Sequence, residues 1–205
     1  MVYESIKNMI ITLELAPGQV VSEELLMHQL GVGRTPLREA LRRLSNEGLI
    51  RVFPRRGMYV SEISIVDLQN ICEVRLILES LCARLAAERI REPELQELRL
   101  LLKEAEHLTE TEDARRLVEV DRRFHHVVAT ASRNTYLETI LVNLYDHSLR
   151  LWFLSLIRTR KAHEVLCEHA EIVKALEARD PVAAEKVSAD HIIQFRNKVR
   201  AVLLD

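Results

Sequence analysis

The sequence predicts a mainly α protein in two parts: a small N-terminal winged helix-turn-helix of three helices plus a β-hairpin, then an all-α six-helix antiparallel bundle. Three observations carry this expectation. The 205 residues are 48% hydrophobic but only 4% aromatic, a leucine- and alanine-rich composition that favours helix. Every glycine lies before Ile63, so turn chemistry is confined to the first third of the chain. Charge is segregated as well. Between Gly31 and Val60 seven arginines oppose Glu39 and Glu47, a local +5 in a chain of net −2. The boundary therefore falls near residue 63, giving expected domains 1–63 and 64–205.

The elements follow in order. Apolar residues at 2, 6, 9, 10 and 13 have helical spacing, and Pro17-Gly18 ends that region. Ser22 is placed to cap a second helix with Glu23 and Glu24 in its first turn, and Gly31 to stop it after Leu30. A third helix is expected from Thr35 to Glu47, with Thr35 as cap and Pro36 as its first helical residue, ended by Gly48. LIRVF, PRRG and MYVSEI read as a hairpin. After it, six segments keep a 3.6-residue apolar period: 65–90, 94–110, 113–131, 135–158, 162–178 and 181–203. Asn134 is a cap candidate, and Pro93 and Pro181 suit first turns. The most apolar run, LWFLSLI, is far too short to span a bilayer. Three cysteines, an odd number, read as core residues of a protein of the reducing cytoplasm.

Leu37, Ala40, Leu41 and Leu44 share one face of the third helix, while Thr35, Arg38, Glu39 and Arg42 share the other. The first face packs and the second is free. A basic helix after a glycine-containing turn suits the DNA major groove, where guanidinium forks bond guanine and others hold phosphates. Arg34, Arg38 and Arg42 are the candidates there, and the turn Arg55-Arg56-Gly57 is a candidate wing contact. The plain alternative is a solvated face in which Glu39 pairs with Arg43 one turn on.

In the second part, polar ligand-type side chains interrupt apolar stripes. Asp121 and His125 fall with Leu117, Phe124 and Val128. His169 falls with Val165, Ile172, Val173 and Leu176, and His191 with Ala184, Phe195 and Val199. A buried carboxylate needs a partner, and imidazoles with a carboxylate suit a divalent metal of Zn, Ni or Mn type. His107 and His126 point away from their stripes and are expected in solvent. Arg75 also lies on an inward stripe, with Ile71, Leu78 and Cys82. Its charge requires either an internal pair with Glu79 or Glu73, or the carboxylate of a bound effector.

LAPGQVVSEELLMHQLGVGRTPLREALRRLSNEGLIRVFPRRGMYV resembles the DNA-binding domain of GntR-type bacterial transcription regulators, whose core commonly reads LGVSRTPVREAL. Gly33 stands where that core has a hydroxyl residue. The resemblance implies that Arg34, Thr35 and Arg38 read the groove and that Gly57 forms the wing tip. EVRLILESLCARLAA, DRRFHHVVATASRN, EHAEIVKAL and ADHI resemble the helical effector domain of the FadR-like branch, the FCD domain. That resemblance implies a divalent metal held by Asp121, His125, His169 and His191, and a small organic acid as effector.

The expectation is thus a cytoplasmic bacterial regulator and not an enzyme, a homodimer on pseudo-palindromic double-stranded operator DNA. Two rivals stand beside it. In one the metal itself is the signal; in the other the centre is a metal-dependent hydrolase, against which Asp121 is spent as a ligand and no further inward Glu or His is placed as a general base.

Overall fold

The computed structural model describes residues 2–159 and 162–204. The chain forms two compact units, Met1–Ile63 and Ser64–Asp205.

The first unit contains α1 (Val2–Ile11), α2 (Glu23–Leu30), α3 (Arg34–Asn46), β1 (Ile50–Phe53) and β2 (Gly57–Val60). Ser22 caps α2 by accepting the Leu25 N–H at 3.3 Å. Gly31 ends α2 at φ 64°, a left-handed conformation that a side chain disfavours. Leu37, Leu41 and Leu44 of α3 are buried with Ile6, Ile10, Leu26, Leu49 and Ile50, each large side chain contributing about 1.5–3 kcal/mol of burial. The strands pair antiparallel from Ile50↔Val60 to Phe53↔Gly57. Val20 adds a bridge to Tyr59, so the segment before α2 lies on the hairpin.

The start of α3 differs from expectation. The cap position is Gly33, not Thr35, and Pro36 is the third helical residue. The Gly33 carbonyl already accepts from Leu37 N–H at 3.4 Å, which draws Arg34 and Thr35 into the first turn. A glycine offers no oxygen, so the N-terminus of α3 has no side-chain cap.

The second unit holds α4 (Ile65–Arg89), α5 (Glu92–Thr111), α6 (Ala114–Ala131), α7 (Thr135–Thr159), α8 (Ala162–Glu177) and α9 (Pro181–Leu204). Helix α4 packs against α6, α7, α8 and α9, while α5 covers α6 and α8. Asp113 caps α6 by accepting from Arg116 N–H at 3.1 Å, and Asn134 caps α7 by accepting from Leu137 N–H at 3.2 Å. These caps fix where each helix starts, and hence which residues face inward. Cys72 and Cys82 are buried as expected, but Cys167 is exposed: it lies off the inward stripe of α8. Among the described residues no helix is long and apolar enough to cross a membrane.

Candidate functional site

Two features are built from unusual residues: a basic face on α3 and a buried histidine cluster.

On α3, Arg34, Thr35, Arg38, Glu39 and Arg42 line an open surface groove opposite the packed leucines. Arg34 and Arg42 are exposed, as are Arg55 and Arg56 at the wing, and none of the four has an ion pair among the described residues. Arg38 is exposed too, but its Nε donates to both oxygens of Glu23, at 3.1 and 3.0 Å. Arg43 does not pair with Glu39. Its Nε donates to Glu47 at 3.1 Å and its guanidinium lies 3.8 Å from the centre of the Tyr3 ring, while the Tyr3 hydroxyl also donates to Glu47 at 2.6 Å. Arg43 therefore ties α1 to α3. At the wing, Arg56 N–H bonds the Phe53 carbonyl at 3.1 Å across Pro54-Arg55, with Arg55 at φ 64° and Gly57 at φ 98°. The turn leaves the side chains of Arg55 and Arg56 in solvent.

In the second unit the imidazoles of His125, His169 and His191 converge from α6, α8 and α9, each offering a ligand atom within 4.8 Å of the others. The Asp121 carboxylate joins them more loosely: its oxygens lie 3.6 Å from His169 Nε2 and 3.9 Å from His125 Nε2. All three histidines are buried. Phe124 stacks on His169 with ring centres 4.1 Å apart, and Tyr145 lies 4.8 Å from the His125 ring. His107 and His126 are exposed, as their helix faces require.

Two carboxylates that the sequence reading did not place in the centre stand behind these rings. Glu168 Oε2 meets His191 Nδ1 at 2.8 Å, and Lys198 Nζ donates to its other oxygen at 2.5 Å. Glu79 lies 3.5 Å from His125 Nδ1 and accepts from Arg75 Nε. Glu79 is expected only as a candidate partner of Arg75, and Glu168 is not singled out. Both are engaged with partners, however, and neither is a free general base. The spacing contained a signal: Glu168 is three residues after Val165 and four before Ile172, both buried on the same helix. Its partners lie on another helix, beyond any local pattern.

Electrostatics follow from burial. Desolvation raises the Asp121 carboxyl to about 7, with Arg75 opposing and Glu79 and Glu168 assisting. Desolvation and then the neighbouring imidazoles and Arg75 hold His125 well below its ordinary value. The same holds for His169, by desolvation, His191, Arg75 and Lys198. Burial pushes Glu168 up, but the hydrogen bonds from His191 and Lys198 outweigh it and leave its pKa lowered. Buried imidazoles whose nitrogens lie within 4.8 Å of one another are metal-ligand chemistry. His169 Nε2 is buried with no hydrogen-bond partner, as a nitrogen reserved for an ion would be.

Asp121, His125, His191 and Arg75 line a pocket between the helices of this unit. Arg75 sits under the rings of Phe195 and Tyr145, 4.9 and 5.4 Å from their centres, and its charge is met by Glu79. The internal pair is thus present, at the wall of this pocket.

A winged helix-turn-helix whose third helix presents arginines, together with an all-helical unit that has a pocket of its own, defines a DNA-binding transcription regulator. The chain belongs to the gntR family of bacterial regulatory proteins: residues 1–60 match that family, and residues 70–194 match the FCD domain. It is similar to the HTH-type transcriptional repressor RspR of Escherichia coli K12, 28% identical over 98% of this chain and 88% of that protein. It is 32% identical to the Nta operon transcriptional regulator of Aminobacter aminovorans, over 83% of this chain and 80% of that one. Among solved structures, E. coli McbR/YncC superposes with a TM-score of 0.88 at 25% identity, covering 98% of this chain and 95% of that one. These relatives are regulators, and the chain is a regulator rather than an enzyme.

Proposed function

We propose that the protein is a homodimeric, cytoplasmic regulator that binds pseudo-palindromic operator DNA under the control of a small carboxylate bound beside a divalent metal. Arg34, Thr35 and Arg38 read base edges in the major groove, Arg42 holds phosphate, and Arg55, Arg56 and Gly57 place the wing on the adjacent backbone. The metal is held by Asp121, His125, His169 and His191. When bound, it would supply a positive charge that attracts a carboxylate. Arg75 sits at the same wall to receive a carboxylate. Exposed Val74 and Ile77 on α4 and Tyr136 and Ile140 on α7 support a second copy packing on this unit.

The observation that carries the reading is the buried, unpartnered Nε2 of His169, gathered with two further imidazoles and Asp121 at a cavity that Arg75 also lines. The effector acts by binding one arrangement of the dimer better than the other.

The test is an operator titration with metal-loaded and chelated protein, with and without carboxylates. The expected result is a carboxylate-dependent shift that His169→Ala abolishes. A shift produced by the metal alone would make the ion the signal. Turnover of a carboxylate, lost in His169→Ala, would displace the regulator-only reading.

A further inference from the structure

We infer that the ligand of the cavity beside the histidine cluster is a monocarboxylate carrying an apolar body, an aromatic ring or a short alkyl chain, rather than a dicarboxylate or a polyhydroxy acid. This deepens the effector reading above and rests on it.

Charge is the first argument. Three cations face the cavity, and each is already matched by a carboxylate. Arg75 is met by Glu79, and Arg122 by Asp146 at 3.2 Å. Lys198 is shared between Glu168 at 2.5 Å and Glu164 at 3.4 Å. No surplus of positive charge therefore remains among the described side chains of the wall, and only the end at the imidazoles and Arg75 is suited to an anionic head. A second carboxylate would have to compete with Asp146 for Arg122, or with Glu164 and Glu168 for Lys198.

Hydrogen-bonding capacity is the second. The wall hydroxyls of Ser148 and Thr159 donate to the carbonyls of Leu144 and Ser155 on their own helix, at 3.0 and 2.9 Å. Those two donors are spent locally, and of the other lining residues only Tyr145 and Ser155 carry hydroxyls, so a polyol finds few partners. Leu149, Trp152, Leu156, Val165, Phe195 and Val199 are the apolar part of this wall, a sleeve for the body of a ligand whose head is at the imidazoles.

Trp152 has a particular place in this sleeve. It is the sole tryptophan of the chain and is buried. Together with Asp121 and Val165 it also lines a second, smaller space between α5, α6 and α8. The indole thus stands between the two spaces and limits how long a tail the first accepts.

The experiment uses the full-length protein reconstituted with Zn²⁺ and follows Trp152 fluorescence and binding calorimetry. The probes are acetate, butanoate, hexanoate, octanoate and phenylacetate, set against succinate, malate and gluconate. Each added methylene tightens binding about fourfold until the sleeve is full, and the second group binds at least about tenfold more weakly than the best monocarboxylate. Trp152→Ala, read by calorimetry, joins the two spaces and moves the optimum to a longer tail. If that variant does not fold, Leu156→Ala reads the same wall and lowers the gain per methylene. Tightest binding by succinate, malate or gluconate, or a flat series, overturns the inference while leaving the effector reading standing. An unchanged optimum in a folded Trp152→Ala protein overturns the partition. Failure of both groups to bind overturns the inference and the effector reading together.

Discussion

His191 Nδ1 lies 2.8 Å from Glu168 Oε2, and the other oxygen of that carboxylate accepts from Lys198. The bond fixes both the tautomer and the orientation of the imidazole, because a ring that donates from Nδ1 presents the lone pair of Nε2 to its other side. Glu168→Gln keeps the shape and removes the charge. Metal affinity, measured by chelator competition, is expected to fall about 10- to 100-fold. An unchanged affinity would show that His191 is held by packing alone.

The metal-free protein should lose stability as pH falls from 6.5 toward 5. His125 and His169 have folded pKa values well below 6.5, so in this window the unfolded chain takes up two protons that the folded chain refuses. Asp121 works the other way. Its carboxyl, raised from 3.8 to about 7, keeps a proton when folded that the unfolded chain has released. The net is one proton in favour of unfolding, a slope approaching about 1.4 kcal/mol per pH unit. Urea denaturation of chelated protein across this range checks it. His169→Gln removes one of the two histidine protons, so its slope in the same window should be close to zero.

The histidine cluster was legible in the sequence because a polar residue at 3.6-residue register within an apolar stripe is a local pattern. Asp121, His125, His169 and His191 each occupy such a position, and helix packing brings those stripes together. Glu168 was not, because its role depends on His191 and Lys198, 23 and 30 residues away on another helix. Cys167 was misplaced by the general tendency of cysteine to be buried; its position beside the stripe, not its type, decides its exposure. In the first unit the hairpin and both glycine stops followed from turn chemistry. The start of α3 did not. Thr35-Pro36 has the form of a cap and first helical residue, yet the helix opens two residues earlier on a glycine.

Arg38 and Glu23 form an ion pair that, on the proposed reading, competes with DNA. The pair spans α3 and α2, with the Arg38 side chain mostly in solvent, so it is weak and screened by salt. Glu23→Gln frees the guanidinium, and operator affinity at low salt should rise by no more than about fivefold. Arg38→Ala should lose operator affinity by about 1–3 kcal/mol while nonspecific DNA is much less affected. Fluorescence anisotropy with operator and scrambled duplexes separates the two. Equal loss on both would reduce Arg38 to a phosphate contact.

Gly33 caps α3 with nothing on its side chain to accept the free N–H groups of the first turn. Its backbone is nonetheless ready for a better cap: φ −76° and ψ 169° are extended values that any residue adopts. A Cβ added there meets only Pro36 Cδ, at 4.0 Å. Gly33→Ser therefore introduces an acceptor without strain, and thermal melting should show a gain of a few tenths of a kcal/mol. Because this helix end carries Arg34 and Thr35, the same hydroxyl also stands where a DNA phosphate would approach the positive end of the helix dipole. Affinity for operator and nonspecific duplexes should then rise together, since a phosphate contact carries no sequence information. A melting gain without any change in DNA affinity would confine the hydroxyl to capping and place the phosphate away from the start of α3.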